Sequence, residues 1–153
     1  MYTCYLFGHH NTPDSLHEVL DHEIEHHINH LGVRRFVVGC SGNFDRIACN
    51  ALQEAKRRHP ELYAFLLVPQ LSDTVNTPIP EGFDDIYYPT GLLGLPRRFA
   101  IPKASRLLIR EASYIITYVH PQDRDLDKLL HYADCKLKKG DLLQILNLSD
   151  KLK

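Results

Sequence analysis

Five short apolar runs divide the chain: residues 2–7 before Gly8, 35–38 before Gly39, 63–68 before Pro69, 114–119 before Pro121, and 142–146 near the C-terminus. They are rich in β-branched and aromatic residues, and several are apolar at consecutive rather than alternating positions. That pattern predicts strands buried on both faces, as in a parallel sheet. A weaker run, residues 86–88, predicts an edge strand, because Pro89 ends it.

Segments of helical period lie between these runs. Residues 14–31 place Leu16, Leu20, Ile24, Ile28 and Leu31 in one sector, with Asp14 or Ser15 as cap and Gly32 beyond the end. Residues 45–59 turn Ile47, Ala48, Ala51, Leu52 and Ala55 inward and stop at Pro60. A third helix is predicted over 103–112. A fourth, after Asp125, carries Leu126, Leu129, Leu130 and Ala133 at i, i+3, i+4, i+7 spacing. Alternation of strand and helix implies βαβ crossovers and a three-layer α/β sandwich, in one domain over 1–153, with a mostly parallel sheet of five to six strands. Residues 70–96 break this rhythm. Pro78, Pro80, Pro89 and Pro96 among glycines predict an irregular loop, and a loop of that length is more often functional than merely connective.

Composition narrows the function classes. Hydrophobic residues make up 44% and charged residues 24% of 153, ordinary for a globular protein. With 18 basic against 19 acidic residues the net charge is -1, which carries no basic excess for nucleic acid, so nucleic acid is not expected as a partner. The clusters Lys56-Arg57-Arg58 and Lys136-Lys138-Lys139 fall where helix C-termini are expected, where cations are favoured anyway. Cys4, Cys40, Cys49 and Cys135 form neither a CxxC pair nor a framework, which predicts reduced thiols and no zinc site. No signal peptide and no membrane-length apolar run is visible, so a cytoplasmic location and no membrane partner are expected.

Several motifs offer chemistry. His22-Glu23-Ile24-Glu25-His26 matches HExxH letter for letter. Helical geometry, however, sets His22, His26 and His30 opposite the apolar stripe, Glu25 is charged, and no third ligand is placed. A solvated face is the reading, and no metal is expected. His27 falls inside the stripe and is read as a core histidine with one satisfied nitrogen. His9 and His10 follow the first strand directly, where open α/β sheets bind ligands; capping the next helix is the alternative. The turn from Gly39 to Asp45 joins the second strand to the second helix. Its glycines permit a close backbone turn, and a helix start offers N–H groups to an anion. Asp45 as a simple N-cap and Cys40 as a small filler are the bland readings.

Leu6-Phe7-Gly8-His9-His10 resembles the strand-end GHR signature of the SLOG superfamily, the Rossmann-like group that includes the LOG phosphoribohydrolases and DprA. The run from Phe36 through Gly39, Gly42 and Asp45 to Ala48 resembles its second signature. Arg98-Phe99-Ala100-Ile101 and the Tyr114 strand resemble a largely uncharacterised bacterial branch. The resemblance runs from about Thr3 to Leu148. It implies strand ends that bind a nucleotide or a nucleotide derivative, with a site of Gly8, His9, His10, Gly39, Ser41, Gly42, Asp45 and Arg98. It also implies a homodimer, and no cofactor.

The departures from the pattern decide between classes. Relatives carry an Arg-Asn pair where this chain has Ala104-Ser105, an Asp where it has Ser113, and a Gly-Gly-small turn where it has residues 120–127 without glycine. A phosphate cradle needs amides approachable without a Cβ, so half of that site is altered. His10 replaces the arginine of GHR, removing a permanent cation. The motif set is degenerate, which favours a non-catalytic binding protein with no assigned catalytic residue. An N-glycosidic-bond hydrolase or transferase, using Asp45 with His9 or His10, is the alternative.

Overall fold

The computed structural model describes residues 1–120 and 122–150; Pro121, expected to follow the fourth apolar run, lies outside the described residues. Six strands form one sheet: β1 (Tyr2–Gly8), β2 (Val33–Val38), β3 (Tyr63–Leu67), β4 (Asp85–Tyr87), β5 (Tyr114–Tyr118) and β6 (Gln144–Asn147). Every pairing is parallel, in the order β4-β3-β2-β1-β5-β6. β5 is buried at all five positions, as its unbroken apolar run predicts. The expected short strand before Pro89 is the outermost strand β4, paired only with β3.

Among the described residues five α-helices accompany the sheet: α1 (Leu16–Asn29), α2 (Gly42–Arg58), the four-residue α3 (Asp73–Asn76), α4 (Arg97–Glu111) and α5 (Arg124–Lys138). α1 and α2 pack with Leu6, Phe36, Val38, Leu66 and Ile116 on one face of the sheet. α4 and α5 pack with Tyr5, Phe7, Val37, Leu67 and Ile115 on the other. Successive strand residues point to opposite faces, so one apolar run supplies both cores. This is the Rossmann-like three-layer α/β architecture. No helix among the described residues is long and apolar enough to cross a membrane.

Ser15 takes the expected N-cap position of α1 without the expected bond, and two other helix starts differ from the sequence expectation. α1 has Ser15 at its N-cap, but Ser15 is already helical (φ -61, ψ -14) and its side chain makes no capping bond. Asp14 instead receives Arg46 at 2.6 Å and Asn43 at 2.9 Å. α2 starts at Gly42 rather than Asp45, so Asp45 lies inside the first turn and is not the N-cap. α4 starts at Arg97, six residues before the expected start, and continues through Pro102. Pro102 lacks the N–H that would bond the Arg98 carbonyl, so α4 continues past it with one helical hydrogen bond missing.

The chain steps outward from β1 through β2 and β3 to β4, then returns by α4 to the other side of β1 and continues to β5 and β6. The strand order therefore reverses between β1 and β5. The crevice above the carboxyl ends at such a reversal is where open α/β sheets take ligands.

Candidate functional site

β1 ends in Gly8 and β2 is followed by Gly39 because the start of α2 presses against both. A Cβ on Gly8 would lie 2.4 Å from Cγ of Phe44, which is fully buried. A Cβ on Gly39 would lie 2.7 Å from Oδ2 of Asp45. Gly42 has φ +86, and a Cβ there would meet Nδ1 of His10 at 2.3 Å. The close turn that the glycines suggested is thus present, and its neighbours are Phe44, Asp45 and His10.

Two of the turn's amides are engaged within the protein. Ser41 donates its N–H to Oδ2 of Asp45 at 3.0 Å, and Asn43 donates its N–H to the His10 carbonyl at 2.9 Å. An anion reaching the Ser41 amide would have to displace the Asp45 carboxyl. Burial pushes Asp45 up from 3.8 to about 7, only partly opposed by the Ser41 hydrogen bond. Near neutrality this carboxyl is therefore divided between its neutral and charged forms, and can donate as well as accept.

Two adjoining cavities open above the strand ends. One, of about 360 Å³, is lined by Gly8, His10, Gly39, Ser41 and Asp45, with Tyr5, Arg97, Ile101 and Ser105 among the opposing side chains. The other, of about 510 Å³, lies between α4 and α5 and is lined by His10, Arg98, Arg106, Asp123, Asp125 and Lys128, among others. His10, Ile101, Ser105, Leu126 and Leu129 line both. Tyr5 donates its hydroxyl to Oγ of Ser105 at 2.9 Å, and burial raises the Tyr5 phenol. Gly42 faces a smaller pocket with Gly39, Asp45 and Cys49. Arg98 lies at the rim of the larger cavity, its guanidinium 4.8 Å from the centre of the exposed Phe99 ring.

His9 has a different environment. Its Nδ1 accepts the Asn11 N–H at 2.9 Å, which leaves the ring proton on Nε2, 3.3 Å from Oδ2 of Asp123. The other oxygen of Asp123 accepts the Leu126 N–H and caps α5. The glycine-free 120–127 segment thus holds a carboxylate clip between β1 and α5. Asp123→Ala is expected to cost about 1 kcal/mol in urea unfolding, the usual worth of a lost N-cap.

Seven of the eight residues expected at the site line one of these three cavities, and His9 lines none of them. Sequence reasoning missed Tyr5, Arg97, Ser105 and Arg106. The signal for Arg97 was Pro96 followed by Arg97-Arg98, a helix start masked by Pro102, whereas Ser105 and Arg106 lie in the helix already predicted over 103–112.

The histidines of α1 fall as their spacing predicts. His22, His26 and His30 are exposed, and Glu25 is taken by Arg58 and His59. His27 is buried beside Tyr114. Its Nδ1 bonds the Glu23 carbonyl at 2.7 Å, Nε2 has no partner, and burial lowers its pKa. All four cysteines are free, and burial raises the Cys40 and Cys49 thiols away from the reactive thiolate form.

No family model matches the chain, and no curated protein does. Solved structures do. DNA processing protein A (DprA) from Streptococcus pneumoniae shares the fold at TM-score 0.60 and 12% identity, over 99% of this chain and 61% of that one. DprA from Helicobacter pylori, described for its single-stranded DNA binding mode, matches at TM-score 0.53 and 15% identity, over 99% of this chain and 78% of that one. This chain therefore spans about three fifths of the first relative, and at these identities the likeness is one of fold. It also corrects the exclusion of nucleic acid drawn from net charge. A protein of this fold binds single-stranded DNA, so an even overall charge is no ground for ruling out that partner class. Net charge sums the whole surface, whereas a strand is held by local cations.

Proposed function

We propose that this chain binds a phosphate-bearing nucleotide in the paired cavities above β1 and β2, as a binding protein of the SLOG type rather than a catalyst. The observation that carries this reading is the position of the cavities at the strand-order reversal, with Asp45 in one and Arg98, Arg106 and Lys128 around the other. Because Asp45 holds the Ser41 amide and lines the smaller cavity while the cations line the larger, the phosphate belongs with the cations and a sugar hydroxyl with Asp45. Cations held in a partly closed cleft attract phosphate more strongly than the same charges in open water.

The nucleotide has two sources: a free mononucleotide, or one unit of a single strand. The second is favoured by Arg98 over exposed Phe99, since strand binders combine cations with aromatic surfaces on which bases stack. Thermal-shift measurements with the four nucleoside monophosphates, and fluorescence anisotropy with a labelled oligothymidylate, separate these sources. Arg98 and Arg106 are exposed, so Arg98→Ala/Arg106→Ala leaves the core untouched. The double variant is expected to weaken binding of the preferred ligand by about tenfold or more, since a charge-assisted bond contributes about 1.5–3 kcal/mol. An unchanged affinity, or no binding by the native protein in either arm, would sink the reading. Release of free base from a monophosphate would instead move it to the hydrolase class.

A further inference from the structure

The seam between α1 and α2 carries a ladder of side chains that cross from one helix to the other. At one end Asp14, just before α1, meets Arg46 of α2 at 2.6 Å. At the other, Glu25 of α1 meets Arg58 at 2.8 Å and His59, the residue that caps α2, at 3.0 Å. Each of these rungs pairs opposite charges. The middle rung does not, because Asp21 of α1 faces Glu54 of α2. His17, one turn before Asp21, places its Nδ1 3.2 Å from Asp21 Oδ2.

Asp21 is short of partners. Its Oδ1 is shut off from solvent and receives no hydrogen bond. Burial raises its pKa, and the nearby Glu54 and Glu25 push in the same direction against His17 and Arg58. Arg58, whose charge acts on Asp21, is hydrogen-bonded to Glu25. A desolvated carboxylate oxygen beside a second carboxylate is costly unless a cation joins them.

The donor atoms suit such a cation. One nitrogen of His17 and one oxygen each from Asp21 and Glu54 lie within 4.8 Å of one another. Zinc and similar ions take nitrogen and carboxylate oxygen at about 2.0–2.2 Å, and Glu54, being exposed, is free to adjust toward that distance. His17 and Asp21 have the i, i+4 spacing that places two ligands on one helix face.

We propose that His17, Asp21 and Glu54 form a binding site for one divalent transition-metal ion, zinc being the probe, which pins α1 to α2. The site lies on the α1–α2 face of the sheet and does not depend on the nucleotide reading. It is also distinct from the exposed row His22, His26 and His30, which could capture zinc adventitiously.

Isothermal titration of the chelator-treated full chain with zinc chloride tests it, with thermal unfolding as a second readout. The native protein is expected to bind one equivalent and to melt at higher temperature with saturating zinc, since an ion that binds only the folded state stabilises it. Glu54→Gln, at an exposed position that does not threaten folding, and Asp21→Asn are each expected to weaken that binding by about tenfold or more. His26→Ala/His30→Ala is expected to leave it unchanged. The proposal is overturned if the native protein shows no saturable binding, if Glu54→Gln binds as tightly as the native chain, or if the double histidine variant abolishes binding.

Discussion

Gly8→Ala is expected to destabilise the protein by about 3 kcal/mol, near the upper end of the usual cost of adding a methyl to a packed core. The added Cβ would sit 2.4, 2.5 and 3.0 Å from Cγ, Cδ2 and Cβ of Phe44. Phe44 is fully buried in the first turn of α2, so relief requires moving the helix rather than rotating an exposed side chain. For a chain of this length such a loss lowers the melting temperature by roughly 6–12 °C. Gly8 has no positive φ, so the effect is steric and not conformational. A double-mutant cycle makes this checkable: in a Phe44→Ala background the Gly8→Ala penalty should fall substantially, leaving only the 3.0 Å contact with the retained Cβ. A penalty of the same size in both backgrounds would show that some other contact is responsible.

The second large effect concerns pH. Folding holds Asp45 largely neutral, moving its pKa from 3.8 up to about 7. Between those values the folded state binds more protons than the unfolded one. The stability supplied by this group is therefore complete below about pH 3.8 and is lost as the pH rises to about 7. Asp45→Asn removes the titration. Relative to the native chain, the variant should gain about 3 kcal/mol in stability on going from pH 5 to pH 8, at roughly 1.36 kcal/mol per pH unit up to pH 7. His27, with its pKa lowered by burial, destabilises the fold as the pH falls below 6.5, but it is common to both proteins and cancels. Urea unfolding of both proteins across this range is the measurement. A difference independent of pH would mean that Asp45 ionises normally in the folded state. The same titration bears on the cavity, because a neutral Asp45 does not repel a nucleotide's phosphate as a carboxylate would.

Much of the architecture was legible because it rests on short-range periodicity. Residues 114–119 and 2–7 are apolar at consecutive positions, and only a strand covered on both faces tolerates that. Ile47, Ala48, Ala51, Leu52 and Ala55 recur at helical spacing, and all five are buried. The helix starts were harder to read. Pro102 hid the first six residues of α4, and with them Arg97 and the start of the wall that faces the Gly39 turn.

By itself the sequence determined the parallel α/β class, the inward faces of the helices, the buried His27 and the close glycine turn between β2 and α2. Each of these follows from residue spacing along one element or from the backbone freedom of glycine. Only the tertiary structure decided what meets across elements. It set Phe44 against Gly8, folded Asp45 back onto the Ser41 amide, clipped His9 to Asp123 and left Asp21 facing Glu54 across the α1–α2 seam. These are contacts between residues far apart in the chain, or between a side chain and a backbone turn it has doubled back to reach. Local pattern carries no record of such distances, and burial, which sets the charge state of Asp45, is a property of the assembled layers alone.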